Sequence, residues 1–475
     1  MTQTKSQNDK IDDKKYKNQQ GITAIKIEGY KSLYNQSIID ISSLTILAGA
    51  NSTGKSSIMQ PVLLMKQTLE ANYDPGTLLI NGPNLKFTSA EQLLAINPKE
   101  KVKEFKVTIE INGNEITTFS FCKQPQQSIE LISMEYKGEK TQFKIIPEML
   151  HEELINILPQ NMRVFVNNYN LPEILAQRHQ KESEIEQDKE EDNESLPGSK
   201  STSLKVIRNR CFFEIGLFKG TSDLRITMSH VTELAPYIQK IIHVPGLRAN
   251  PERTYKTTAV SNLFPGTFDN YVASVVHHWQ TNNDKNLDKL IQALQKLGLT
   301  STIESQQIND TQVELMVGRL PCSSNSKTTK QDMVSIVDVG FGVSQVLPVL
   351  VALLTASPGQ LVYVEQPEIH LHPRAQVALA EVFAEAANRG VRVVVETHSE
   401  LFLLGVQSLV AEGQLSSDNV KLHWFTRQEN GATKISSAEL DETGAFEDWP
   451  EDFSEVALST QNRYLTAAET KLWKD

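Results

Sequence analysis

The sequence predicts an α/β fold, and three observations carry the prediction. Leu44-Thr45-Ile46-Leu47-Ala48 is an apolar run of strand length that leads into the Gly-rich loop GANSTGKS (49–56), and an amphipathic helix follows from Ser57 through Met65. Far downstream, Leu361–Glu365 and Val391–Glu396 read as buried strands, with a helix from Arg374 to Arg389 between them, closed by Gly390. That unit is β-α-β, and apolar strands of this kind belong to a parallel sheet covered on both faces. Third, Phe105–Ile111, Ile116–Phe121 and Ile129–Tyr136 are β-like, with Asn112-Gly113-Asn114 as a hairpin turn, which adds an antiparallel lobe.

In chain order, residues 1–20 are polar with no apolar core segment and read as a disordered tail, not a signal peptide. Residues 21–144 hold short strands (Ile25 and Ile27, then Ile39 and Ile41), the loop and the β-lobe. Residues 145–235 are expected to form a helical insertion, with helices at 147–158 and 171–180. Within it, the acidic run that begins at Glu182 predicts a disordered loop over 180–203, since it buries too little apolar surface to offset chain entropy. Residues 236–455 return to the α/β core and include a mostly helical element at 256–300, and 456–475 form a tail. Of 475 residues 39% are hydrophobic and 22% charged, and no run approaches a membrane span. A net charge of −11 argues against a surface coated with basic groups for nucleic acid. Cys122, Cys211 and Cys322 lie far apart and odd in number, as expected of reduced cytoplasmic thiols.

The loop carries the chemistry. It fits G-x-x-x-x-G-K-[ST] between a strand and a helix, the context that gives the pattern meaning. Small residues let backbone N–H groups wrap phosphate oxygens at the positive end of a helix. Gly49, Asn51, Ser52, Thr53, Gly54, Lys55, Ser56 and Ser57 are therefore the candidate ATP-binding residues, with Lys55 reaching the β/γ-phosphates. Ser56 and Glu365, the acid at the end of a Walker B-like strand, are the candidates for Mg²⁺. Lys55 and Glu365 stand 310 residues apart, so the chain must fold back to complete one site.

The order of P-loop, Walker B strand and strand-terminal His398 resembles the ABC-type ATPases, including SMC/Rad50-like and OLD-like heads. The resemblance implies an ABC-type P-loop ATPase head with an antiparallel β-lobe, and it makes His398 the switch histidine. It also places a signature loop at Gly340, Gly342 and Ser344, just before Walker B. The stretches VEQPEIHLHPRAQ (364–376), HVPGLRANPERTY (243–255) and GAFEDWPEDF (444–453) are similar to bacterial ATPases carrying the DUF3696 region. Among these, the chain resembles the ATPase subunits of Septu antiphage systems, whose partner is an HNH nuclease. That likeness implies a homo-oligomer bridged by ATP, an HNH nuclease partner, contact with DNA through the complex and no membrane. The alternative is an SMC/RecF-like repair or recombination ATPase acting directly on DNA.

Two departures from the ABC pattern bear on catalysis. Gln366 stands where these ATPases carry the Glu that polarises water, and an amide cannot accept the proton. Glu368 and Glu396 are the substitutes within reach in sequence, and slow turnover is expected. The signature serine position falls on Gly340-Phe341-Gly342, which leaves backbone N–H groups or Ser344 to meet a phosphate. His370 and His372 are two apart in a loop and read as an interface segment rather than a metal pair. Arg248 and Arg253 flank a Pro/Gly turn, where a phosphate or subunit contact and a surface ion pair are equally open.

Overall fold

The computed structural model describes residues 20–96, 102–124, 128–168, 202–219, 222–226, 229–319, 332–446, 459 and 462–466. The chain begins with β1 (Ile22–Glu28), β2 (Ser37–Asp40), β3 (Leu44–Gly49) and α1 (Lys55–Glu70). It continues with β4 (Glu104–Ile111), β5 (Glu115–Lys123), β6 (Ile129–Lys137), β7 (Gln142–Ile145), α2 (His151–Ile157) and α3 (Gln160–Asn168). After β8 (Thr202–Asn209), β9 (Phe212–Lys219) and β10 (Ser222–Ile226) come α4 (Ser229–Gln239), β11 (Ile242–Val244) and β12 (Tyr255–Lys256). Then follow α5 (Val272–Thr281), α6 (Lys285–Lys296), β13 (Ile303–Asn309), β14 (Gln312–Gly318), β15 (Met333–Ser335) and α7 (Phe341–Thr355). The last elements are β16 (Leu361–Glu365), α8 (Pro373–Asn388), β17 (Arg392–Glu396), α9 (Glu400–Ala411), β18 (Val420–Arg427) and β19 (Thr433–Ala438).

The core sheet runs β11-β16-β17-β3-β18-β19. Its pairs are parallel up to β18, and only β19 returns antiparallel. β3 is buried at every position, as a parallel strand covered on both faces should be. Alternation sorts its side chains: Leu44, Ile46 and Ala48 join the core under α5–α9, while Leu47 joins the core shared with α1 and the antiparallel lobe. Val362 and Val364 of β16 face the first core and Leu361 and Tyr363 the second. The α/β P-loop ATPase head expected from the sequence is the architecture observed, with the lobe β2-β1-β4-β5-β6-β7 beside the core sheet.

Local rules account for the boundaries. Asn112 and Gly113 both take positive φ in the three-residue turn 112–114 that joins β4 and β5. Pro373 opens α8, where its missing N–H costs nothing, and Gly390 at φ 85° ends it. Arg392, the cation at the start of β17, is buried and donates to the Gln20 and Ile41 carbonyls, so it ties the sheet to the first strands.

One expectation is corrected. The segment 145–235 is not simply helical, because β8, β9 and β10 form an antiparallel three-stranded sheet within it. Leu204, Phe213, Ile215 and Leu217 are buried in the second core, which gives these strands a packed face. Of the loop expected at 180–203, residues 202 and 203 belong to β8 and the rest lie outside the described residues. The helix expected at 171–180, Cys322, residues 1–19 and most of 447–475 also lie outside them. The helical element at 256–300 is present as α5 and α6.

Candidate functional site

Parallel strands deliver their carboxyl ends to one edge, the usual place for a site in such sheets. In register, Glu365 stands opposite Glu396, Glu396 opposite Leu47, and Phe425 opposite Gly49. The loop 49–57, the acid-bearing ends of β16 and β17, and the end of β18 therefore meet.

The loop needs its glycines. At Gly49 φ is 140° and a Cβ would lie 2.3 Å from the Phe425 carbonyl oxygen. At Gly54 φ is 100° and a Cβ would lie 2.6 Å from Thr433 Oγ1. The polar side chains pin the loop rather than fill it. Thr53 Oγ1 donates to the Ala50 carbonyl at 2.9 Å, Thr433 Oγ1 to the Thr53 carbonyl at 2.6 Å, and Arg427 to the Ser52 carbonyl at 3.3 Å. Asn51 and Ser52 remain exposed, and Ser57 starts the buried face of α1.

Lys55 is 3% exposed and donates to the Gly49 and Ala50 carbonyls at 3.1 and 2.7 Å. Burial lowers its pKa, and Glu396 and Glu368 oppose that shift. The Ser56 hydroxyl donates to both oxygens of Glu396, at 3.0 and 2.8 Å. Glu365, expected beside Ser56, is instead held by His243 Nε2 at 3.2 Å and by the Gly246 N–H at 3.1 Å. The Tyr363 hydroxyl donates to Glu396 at 3.1 Å and lies close enough to Glu365 to bond it too. Burial pushes the Glu396 carboxyl up and the Glu365 charge adds to it, against Ser56 and Lys55. Burial acts the same way on Glu365, but His243, Gly246 and Tyr363 outweigh it and the net shift is downward.

Gln366 adopts φ 45° and its N–H donates to the Glu396 carbonyl at 2.7 Å, turning the chain sharply out of β16. Two residues on, Glu368 Oε1 accepts from the His398 N–H at 2.7 Å. Its Oε2 is buried and finds no partner among the described residues. Burial raises the Glu368 pKa. His398 contacts the Gly49 carbonyl, and burial with the neighbouring Lys55 charge keeps its imidazole below the ordinary value. Ser56 and Glu396 thus meet at the loop, with the Lys55 charge felt by Glu396, Glu368 and His398.

A cleft of about 360 Å³ opens on the loop, lined among others by Lys31, Tyr34, Gln60, Ile96, Glu396 and Arg427. A second cavity of about 430 Å³ borders Asn51, His398, Trp424 and Arg427. Gly340, Gly342 and Ser344 are elsewhere, at the start of α7. There Ser344 Oγ donates to the Phe341 carbonyl, and Phe341 packs on His370 with ring centroids 5.9 Å apart. Arg253 pairs with Asp338 at the surface, whereas Arg248 is buried and donates to the Glu365 carbonyl at 2.7 Å. Burial lowers the Arg248 pKa to about 10.

Sequence reasoning passed over Lys31, Gln60, His243 and the structural role of Arg248. Lys31 takes φ 49°, bonds Gln60 Oε1 at 2.6 Å and lies 4.5 Å over the Phe87 ring. A lysine within reach of two aromatic residues in the turn GYKSLYNQ (29–36) was the available signal.

The donor set of Ser56 and Glu396 is hard oxygen, which suits Mg²⁺. Among the described residues no group of three His, Cys, Asp or Glu is placed to hold a metal ion. A cation here would therefore need phosphate oxygens as further ligands, as Mg²⁺ on ATP does. No described helix is long and apolar enough to cross a membrane.

No curated protein matches the chain. Solved structures that resemble it include "Crystal structure of the SmcHead bound to the C-winged helix domain of ScpA". That match has 12% identity over 89% of this chain and 98% of the other, with a TM-score of 0.46. The "SMC head domain from Thermotoga maritima" aligns at 9% identity over 88% and 98%, with a TM-score of 0.38. A Pyrococcus furiosus Smc head, bound to the C-terminal domain of ScpA, gives 11% identity over 88% and 96%, with a TM-score of 0.39. At these scores the fold assignment rests on the strand order and the loop. A profile described as "AAA ATPase domain" matches residues 21–217, which include the P-loop. Residues 165–404, just over half the chain and spanning β16, β17 and His398, match a second profile, and the chain belongs to its family of AAA ATPases, described as "AAA domain, putative AbiEii toxin, Type IV TA system".

Proposed function

We propose that this ATPase binds ATP with Mg²⁺, hydrolyses it slowly, and uses ATP-bridged assembly to control an HNH nuclease partner in antiphage defence. One observation carries the reading: a complete P-loop faces buried carboxylates, while Gln366 stands where a catalytic base is expected. Lys55 would hold the phosphates, Ser56 and acidic strand ends the cation, and His398 the γ-phosphate edge. The bound cation would neutralise phosphate charge. With Gln366 unable to take a proton, Glu368 is the candidate base: buried two residues on, with its pKa raised by that burial.

The likeness of 364–376 and 243–255 to DUF3696 ATPases supports the Septu assignment, and the family's description, naming a TA system, supports work with a second protein. A repair ATPase acting directly on DNA is disfavoured by the net charge of −11. An HNH gene beside this one supports defence, and a recombination operon in its place overturns it.

Turnover tests the chemistry. Wild-type hydrolysis is expected well below about 1 s⁻¹, the low end of ordinary enzymes. Gln366→Glu is expected to raise it about tenfold or more by restoring a proton acceptor. A wild-type rate of tens per second would show that another base is fully competent and end the slow-clamp reading.

A pH experiment probes the cleft. Burial holds Lys31 at about 8, so its charge is lost just above neutrality. The protonated ammonium attracts phosphate and the neutral amine does not, so ATP affinity should fall as pH rises through and above 8. A drop of about fivefold is expected between neutral pH and full deprotonation, from loss of one charge-assisted contact. Lys31→Met should flatten the profile. Identical pH profiles in the two proteins would remove Lys31 from the nucleotide site.

A further inference from the structure

We infer that Glu396, on the strand next to Walker B, and not Glu365 at the Walker B end itself, is the protein carboxylate that binds Mg²⁺ together with Ser56. The inference rests on the nucleotide reading of the P-loop and assigns the metal ligand within it.

The argument begins with spacing. Mg²⁺ holds oxygens at about 2.1 Å in octahedral geometry, so neighbouring ligands sit about 2.9 Å apart. Ser56 Oγ lies 3.0 and 2.8 Å from the two oxygens of Glu396, the separation two such ligands require. A hydroxyl that donates to a carboxylate in the free protein turns its lone pairs to the ion once the ion is bound, and neither side chain has to travel.

Glu365 is committed elsewhere. Oε1 is bonded by His243 and Oε2 by the Gly246 N–H, both on the β11 side of the sheet. His243 is 1% exposed, stacks on Tyr363 with centroids 5.5 Å apart, and is anchored by Asn84 at 3.1 Å. Moving Glu365 to the loop would strand a buried imidazole and break a backbone bond, each costing about 1–3 kcal/mol in desolvated groups left unpaired. Glu396 would lose only the Ser56 bond, which the ion replaces, and would keep Tyr363 as its orienting donor.

The experiment is ATP binding by calorimetry, with Mg²⁺ and with EDTA, on the full chain. Wild type should gain at least about tenfold in affinity from Mg²⁺, or 1.4 kcal/mol. Glu396→Gln should lose that gain while binding ATP in EDTA as wild type does, a result that also shows the variant is folded. Glu365→Gln should keep the gain to within about threefold, a difference of under 1 kcal/mol. Glu396→Asp, with a carboxylate on a shorter arm, should keep part of it and stands in if the amide variant fails to fold. Loss of the gain in Glu365→Gln, alone or alongside Glu396→Gln, overturns the assignment, as does a wild type indifferent to Mg²⁺. Failure of the underlying reading looks different: wild type would bind no ATP even in EDTA.

Discussion

Lys55→Ala should abolish measurable ATP binding. In the free protein the ammonium is folded into the loop, buried, and bonded to the Gly49 and Ala50 carbonyls. Its pKa is lowered by that burial, a sign that the present partners do not fully replace water. Triphosphate oxygens offer stronger, charge-assisted acceptors, each such bond contributing about 1.5–3 kcal/mol. Two of them lost together correspond to a hundredfold weakening or more, at about 1.4 kcal/mol per factor of ten. Alanine also removes a desolvated charge from the apo-protein, so its melting temperature should not fall. Calorimetry and a thermal melt check both halves. Unchanged affinity in a folded variant would remove the P-loop assignment altogether.

Gly342→Arg should break assembly and spare binding. In ABC-type heads the signature segment of one chain covers ATP held by another; here the residues expected to form that loop, 340–345, are instead the N-cap and first turn of α7. Within one chain these residues lie by Leu299, His370 and Leu371, not on the P-loop cleft, so a signature role for them requires a second copy. A Cβ at Gly342 would meet Leu299 Cδ2 at 3.3 Å, the His370 carbonyl oxygen at 3.4 Å and Leu371 Cδ2 at 4.0 Å, so its neighbours have to give by a few tenths of an ångström. Bulk and charge at this first turn of α7 are expected to hold a partner's nucleotide away. ATP-dependent dimerisation, read by sedimentation with Mg²⁺, should weaken about a hundredfold or more, some 2.7 kcal/mol. ATP affinity of the monomer should stay near wild type. Gly342→Trp, bulk without charge, should behave alike. Assembly indistinguishable from wild type in both variants would make residues 340–345 a packed turn and nothing more.

The parts of the site written as continuous motifs were legible in the sequence. The P-loop needs its glycines, its lysine and both flanks at fixed spacing, and the β-α-β unit around Glu365 announces itself by apolar runs and a Gly stop. What was not legible depends on pairing between distant strands. Glu396 was visible as an acid ending a core strand, yet only the register β16-β17-β3 sets it against Ser56 and turns Glu365 to His243. β11 is three residues long, too short to show a period, so His243 and Arg248 gave no sign of reaching Walker B. The β8–β10 sheet was a different miss. Buried Phe213, Ile215 and Leu217 alternate along β9, but the segment reads as helical from 147–158 and 171–180, and that pattern does not extend to the residues after the acidic loop.

The position of β3 has a consequence for how the protein is made. Its two neighbours in the sheet are β17 and β18, which begin at Arg392 and Val420, whereas β3 ends at Gly49. During synthesis the strand that carries the P-loop emerges first and waits for more than three hundred residues before either edge can pair. Contacts of such sequence separation form slowly, and an apolar strand with both edges open invites wrong partners meanwhile. The N-terminal half should therefore aggregate when expressed alone, and newly made full-length chain should lean on chaperones until β18 has left the ribosome.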